Sequence, residues 1–278
     1  MFKENTKIID SHWSVNQIGF KELIEKNFSK SFLELISSNF SFSFRQRGWT
    51  KYKWSSTVKK VSIADNCIFT GVLKEDVIIY FHKAKLIHTL LNKFINPNTK
   101  WIKCVEFVPV SRYGFKIDSL GILIDHDEYA ELDLNCYDEI CEIFNNKKLD
   151  ITYITSNGFV KKQGKYKRYH KINHTKWIKE LNKSFYFIPT KQESGGLTIL
   201  EHLVQGGVVL IYYKLLKDIP LDNYIENVDY FVFKNYDDFL LIVQKTKSYD
   251  PEERSKSFLT RYYIKQKSLI SYLNENTI

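Results

Sequence analysis

The sequence predicts an α/β protein built on parallel sheets, and three observations predict it. Short apolar runs alternate with helical segments through the second half of the chain, the pattern of strand–helix–strand units. One stretch, 185–213, compresses that pattern into a strand, a glycine turn, a helix, a glycine stop and a second strand. Composition agrees: 44% hydrophobic and 26% charged over 278 residues is ordinary for a globular chain and long enough for two modest domains. With 18 Tyr and 20 Phe, the core should be rich in aromatic rings.

Taken in order, Thr6 to Trp13 reads as a short strand, Gly19 as a break, and Phe20–Phe28 and Phe32–Ile36 as helical stretches. Ser41–Lys60 alternates aromatic with basic or polar residues. That pattern fits a half-buried hairpin turning at Gly48, or rings and cations that stack bases and hold phosphates. Val61–Phe69 and Asp76–His82 read as strands, Lys83–Phe94 as a helix, and Trp101–Val110 as a strand closed by Pro109. A turn at Ser111–Gly114 sets a domain boundary near residue 118. Beyond it, Leu120–Ile124 and Leu149–Thr155 read as strands around an acidic helix, Cys136–Phe144. Lys161–Lys171 reads as a basic loop, Thr175–Leu181 as a short helix, and Phe231–Phe233 with Tyr236–Gln244 as a late strand–helix step. Pro251–Leu273 reads as one long helix, because Pro suits a first turn and Glu252 and Glu253 suit its positive end.

The stretch 185–213 carries the chemistry. Phe185–Ile188 is the first strand, ended by Pro189 and Thr190; Leu197–Gln205 is the helix; Gly206 and Gly207 stop it before Val208–Tyr213. Gly195 and Gly196 stand where the helix begins, leaving its free N–H groups open to a phosphate. Glu193 and Glu201 are separated by seven residues. The run resembles the Glu-(seven residues)-Glu signature of retaining glycosyltransferases of the GT-B fold, glycosyl transferases group 1 or family 4-like. The matching positions are Pro189, Thr190, Glu193, Gly196, Leu197, Glu201, Gly206, Val208 and Val209. The chain departs at Gly195, at Gly196 where Phe is common, at His202 for the usual Ala, and at Gly207 for the usual Pro.

The resemblance implies two Rossmann-like domains facing a cleft, here with a shortened first one. Residues 1–118 would be the acceptor side, 119–250 the nucleotide-sugar domain, and 251–278 a terminal helix expected to pack back on the first domain. It implies that Glu201 holds the donor ribose. Backbone N–H groups around Gly195, Gly196 and Leu197, with Ser194 and Thr198 beside them, would hold the diphosphate. Glu193 would steady positive charge as the glycosidic bond breaks, and His82, or His12, would face the same sugar. No metal or other cofactor is expected beyond the nucleotide-sugar donor. One departure bears on the donor: the family's Arg and Lys after the first strand of this domain are replaced by Ile124-Asp125-His126-Asp127-Glu128, which is acidic. Lys161, Lys165 and Arg168 are the candidates to supply the missing charge, and the departure leaves a non-catalytic partner subunit open as a reading.

Charge points to the partner. Residues 1–118 hold 19 Lys and Arg against 10 Asp and Glu, whereas residues 119–278 hold 22 of each. The excess of the first part favours an anionic partner: phospholipid head groups, a pyrophosphate-linked or phosphorylated acceptor, or nucleic acid. The resemblance implies an anionic or membrane-associated glycan, lipid or lipid-linked acceptor of polysaccharide or lipopolysaccharide biosynthesis. Arg45, Arg47 and Lys51, in the most basic segment, are the acceptor candidates. The competing reading is a nucleic-acid-binding or nucleic-acid-modifying protein that uses residues 42–60. Met1–Asn5 shows no basic-then-apolar leader and no apolar run nears the ~20 residues of a membrane span. The expectation is therefore a cytoplasmic protein, peripheral at most to the inner face of a membrane. Cys67, Cys104, Cys136 and Cys141 have no paired metal spacing and are expected to be reduced.

Overall fold

The computed structural model describes residues 12–45, 58–64, 76–80, 98–110, 117, 121–126, 134–145, 147, 149, 151–155, 167–170, 174–190, 197–217, 219 and 221–277. The chain divides into two compact units, residues 1–110 with 261–278, and residues 111–260.

In the first unit, α1 (His12–Asn27) and α2 (Lys30–Asn39) lead into a sheet of β1 (Phe40–Arg45), β2 (Lys59–Ala64), β3 (Val77–Tyr80) and β4 (Lys100–Lys103). The strands are parallel and lie in chain order, β1-β2-β3-β4. Ser29 caps α2 by accepting the Phe32 N–H. Phe20, Ile24, Ile36, Val61, Ile63 and Ile79 are buried together, and the Phe20 ring stands edge-on to Phe107 at 5.1 Å.

Four expectations from sequence are corrected by the first unit. His12 and Trp13 belong to a helix rather than a strand, and Gly19 lies inside that helix, packed on the backbone of Val108, rather than in a loop. Ser41–Lys60 is not a hairpin: Phe40 stands beside Lys59 and Arg45 beside Ala64, in parallel. Period-two alternation finds a half-buried strand but not its direction, and residues 46–58 are long enough for a parallel crossover. The strand expected over Trp101–Val110 ends at Lys103, level with the end of its partner β3. Residues 104–109 continue as a buried, irregular run. Their backbone is paired by side chains: the Phe107 N–H donates to Asn16 Oδ1 (2.9 Å), the Val108 N–H to the Tyr262 hydroxyl (3.3 Å), and Gln266 Nε2 donates to Val105 O (2.7 Å). Burial pushes the Cys104 thiol up to about 12, so it stays protonated.

The second unit holds a six-stranded parallel sheet of β5 (Gly121–His126), β6 (Ile151–Thr155), β7 (Lys167–His170), β8 (Ser184–Pro189), β9 (Val208–Tyr212) and β10 (Tyr230–Phe233), in the order β10-β9-β8-β5-β6-β7. Helices α3 (Leu134–Phe144), α4 (His174–Asn182), α5 (Leu197–Val204) and α6 (Tyr236–Thr246) fall between and after the strands. Strands β8 and β9 are buried along their whole lengths, as their unbroken apolar runs require of central parallel strands. Phe144 on α3 packs edge-on to Phe239 on α6 at 5.0 Å. Part of the basic segment expected as a loop, Lys167–His170, is the strand β7, paired in parallel with β6. The expected single terminal helix is two, α7 (Pro251–Lys265) and α8 (Lys267–Thr277). The break falls at Gln266, whose buried side chain is drawn to Val105 O. No Pro or Gly marks it in sequence.

Candidate functional site

The order of the second sheet locates a site. The chain runs outward through β5, β6 and β7, then returns to the other side of β5 and continues through β8, β9 and β10. This is the Rossmann order 3-2-1-4-5-6, and its direction reverses between β5 and β8. In such sheets ligands bind outside the carboxyl ends of the two strands at the reversal. Asp125 stands beside Pro189 at that edge, and His126, Thr155 and His170 occupy one register row across β5, β6 and β7. Residues 190–196 connect β8 to α5 directly at this point.

All eight residues of α5 are buried. Leu197, Ile199, Leu200, Leu203 and Val204 explain most of that burial, but Glu201 and His202 are polar and fully enclosed as well. A buried carboxylate must be compensated. Here the Trp177 indole N–H, from α4, donates to Glu201 Oε2 at 2.7 Å, while the Glu201 carbonyl accepts from Gln205 Nε2 at 3.0 Å. The Trp177 ring stands edge-on to Phe187 of β8, which fixes its plane.

His202 Nε2 lies 3.1 Å from Phe185 O. A carbonyl only accepts, so Nε2 carries the proton, and Nδ1 is buried without a hydrogen-bond partner among the described residues. Burial holds the imidazole pKa down to about 4, against the smaller upward pull of the Phe185 carbonyl. The ring is therefore neutral at physiological pH.

His202 also accounts for the residue that follows the helix. A Cβ on Gly207 would come 2.0 Å from His202 Nε2. The volume of the imidazole at 202 is thus matched by the absence of a side chain at 207.

The far end of α5 is closed. Gly206 takes the left-handed conformation, φ 86°. Its N–H donates to Leu203 O and that of Gly207 to His202 O, a Schellman arrangement. Arg254 on α7 donates to Gly206 O (3.3 Å), Gly207 O (3.2 Å) and Val228 O (3.0 Å), and the Ser255 hydroxyl donates to Val204 O. A cation and a hydroxyl therefore satisfy the carbonyl end of the dipole. At the end of β9, Glu139 accepts from the Tyr212 hydroxyl (2.8 Å) and pairs with Lys214 Nζ (2.7 Å). Burial first, then Glu139, raises the Tyr212 phenol.

Of the residues singled out in sequence, Leu197, Thr198 and Glu201 are described on α5, the first two in its opening turn. Glu193, Ser194, Gly195, Gly196, His82, Lys161, Lys165, Arg47 and Lys51 lie outside the described residues. Arg45 ends β1, and Arg168 is in β7, where its register row places it two strands from Ile124 of β5. Sequence reading missed Trp177, Arg254 and Glu139. Trp177 and Glu201 are 24 positions apart and Arg254 is 47 from Gly207, distances over which no periodicity signals a contact. Among the described residues no group of three or more His, Cys, Asp or Glu is placed to hold a metal ion, and no helix is long and apolar enough to cross a membrane.

No family model and no curated protein matches the chain. Among solved structures it is similar to sucrose-phosphate synthase from Thermosynechococcus elongatus, at 10% identity and a TM-score of 0.44, covering 79% of this chain and 69% of that one. It is also similar to TarM, at 13% identity and a TM-score of 0.40; the match covers 80% of this chain and 47% of TarM.

Proposed function

We propose that the protein is a glycosyltransferase of the GT-B type, moving a sugar from a nucleotide-sugar donor to an anionic or membrane-associated glycan or lipid acceptor. The observation that carries this reading is the coincidence of two independent features. The Glu193–Glu201 signature is a matter of residue identity, whereas the reversal between β5 and β8 is a matter of strand order. Both fall on the same connection, residues 190–196 and the start of α5.

In this reading the ribose of the donor is held by Glu201 and its diphosphate by the N–H groups that open α5, with Ser194 and Thr198 alongside. The bond between the anomeric carbon and the leaving phosphate oxygen breaks, and its electron pair departs with the nucleoside diphosphate. An acceptor hydroxyl oxygen forms the new bond and passes its proton to the departing phosphate oxygen. Glu193 stabilises the positive charge that develops on the sugar, and His82 is the candidate from the resemblance to contact the same sugar. Retention of configuration belongs to the proposal, as does operation without a metal. Lys161, Lys165 and Arg168 are the proposed sources of positive charge for the diphosphate. The basic excess of residues 1–118, including Arg45, Arg47 and Lys51, supports an anionic acceptor on that side.

The test is a thermal-shift comparison with UDP, GDP, CMP and ADP, using wild type and Glu201→Gln. Gln keeps an acceptor for Trp177 in this enclosed place. A ligand at a hundred times its dissociation constant adds ~2.7 kcal/mol, which raises the midpoint by roughly 5 °C or more. One nucleotide should shift the wild type and fail to shift the variant. No shift with any of the four would transfer the assignment to a nucleic-acid-binding or non-catalytic role.

A further inference from the structure

We infer that Trp177 is a positioning residue that aims the Glu201 carboxylate, and that it thereby sets selectivity for a ribonucleotide over its deoxy counterparts. The inference rests on the donor-site reading of α5 given above.

Glu201 is wholly enclosed, and Trp177 is 7% exposed. Two large polar side chains from different helices have thus been taken out of water together and joined by one bond. The 2.7 Å separation of Nε1 and Oε2 is short for a neutral N–H···O contact and lies in the range of hydrogen bonds to an ionised acceptor. An indole N–H donates once and accepts nothing, whereas a carboxylate offers about four lone-pair directions. Trp177 therefore restrains the rotation of the carboxylate about its last bond, and in the donor-site reading it is the carboxylate aimed in this way that meets the vicinal diol. The indole is itself immobilised by its perpendicular contact with Phe187, at 6.1 Å and 82°. The chain Phe187–Trp177–Glu201 runs from strand β8, at the sheet reversal, through α4 to the helix that starts there. A carboxylate free to rotate would lose the directionality by which two neighbouring hydroxyls are told from one.

The experiment is calorimetric titration of wild type and Trp177→Phe with UDP, GDP, CDP and ADP and with the 2′-deoxy form of whichever binds. Phe keeps an aromatic ring at this buried position and removes the N–H together with the five-membered ring, a loss of volume that acts on both ligands alike. Wild type should bind the ribonucleotide at least tenfold more tightly than its deoxy form. In Trp177→Phe that ratio should fall towards one, through loss of ribonucleotide affinity, with deoxynucleotide affinity held. A purely structural Trp177 would weaken both ligands alike, and a preserved ratio overturns the inference while leaving the donor site intact. Failure of wild type to bind any of the nucleotides overturns the donor-site reading and this inference with it. Should Trp177→Phe not fold, the indole N–H resonance of Trp177 in wild type, assigned through variants of the other four tryptophans, replaces it. That resonance should move on adding the ribonucleotide and stay in place with the 2′,3′-dideoxy form; equal movement with both overturns the inference.

Discussion

Two short buried segments, one in each unit, solve the same problem in opposite ways. Residues 104–109 follow β4 and have no regular structure, yet they are buried throughout. Helix α5 follows β8 and is equally enclosed. The helix pairs its middle internally and needs outside help at its ends, which Gly206, Arg254 and Ser255 provide at one of them. The irregular run pairs with side chains brought from far along the chain: Asn16, Tyr262 and Gln266. The first solution concentrates its demands in polar groups within the helix itself, Glu201 and His202. The second spreads them over three distant partners. The comparison can be broken at either segment.

The largest effect should come from pH acting on His202. An unfolded histidine titrates near 6.5 and folded His202 near 4. As the pH falls the unfolded chain takes up its proton first, so the stabilisation is complete above about 6.5 and is lost progressively down to about 4. The gap corresponds to about 3 kcal/mol. Carboxylates elsewhere titrate in part of the same range, so the informative quantity is a difference. Chemical denaturation of wild type and of a His202→Ala variant at pH 7 and pH 4 should show wild type losing about 3 kcal/mol more than the variant. Parallel pH profiles would mean that His202 is not enclosed as described.

Next in size is the pair His202 and Gly207. Adding a methyl group at Gly207 drives it into the imidazole, and overpacking of this kind costs about 2 kcal/mol. Gly207→Ala alone should lower the unfolding midpoint. In the His202→Ala background the same change should cost a few tenths of a kcal/mol, since the ring that it meets is gone. Additive costs in the double variant would refute this match of volumes.

These two segments also divide what could be read from sequence. The unit β8–α5–β9 was legible because Leu197, Ile199, Leu200, Leu203 and Val204 keep helical spacing between continuous apolar runs, and because Gly206 and Gly207 mark the stop. The parallel order of the strands was legible as an alternation of strands with helices. The pairing of β1 with β2 was not, because alternation carries no direction and a glycine at position 48 resembles a turn. The end of β4 was invisible for a related reason: Val105, Phe107 and Val108 are as apolar as a strand, and their backbone is paired by the distant side chains of Asn16, Tyr262 and Gln266. Partners such as Asn16 for Phe107, 91 positions away, or Trp177 for Glu201, leave no local mark at all. In the candidate site, residue identity singled out Glu201 and strand order placed the start of its helix at the sheet reversal. Neither predicted that a tryptophan would hold it.

The smallest expected effect tests the irregular segment. Gln266 is fully buried at the break between α7 and α8, and its Nε2 donates to Val105 O. Gln266→Leu keeps approximately the volume and removes the donor, leaving a buried carbonyl without that bond at a cost of about 1–2 kcal/mol. Leucine also relieves the burial of the amide oxygen, which has no partner among the described residues, and this gain keeps the loss at the lower end. The change should be local as well as small. Hydrogen exchange of the Phe107 and Val108 amides should accelerate in proportion to the lost stability, because their partners Asn16 and Tyr262 hold the same run. Exchange at the amides of α5 should be unchanged, since the groups that cap it, Arg254 and Ser255, donate to Gly206 and Val204, whereas Gln266 holds Val105. Equal acceleration in both segments would show that the two do not satisfy their backbones independently, and the contrast between them would fail.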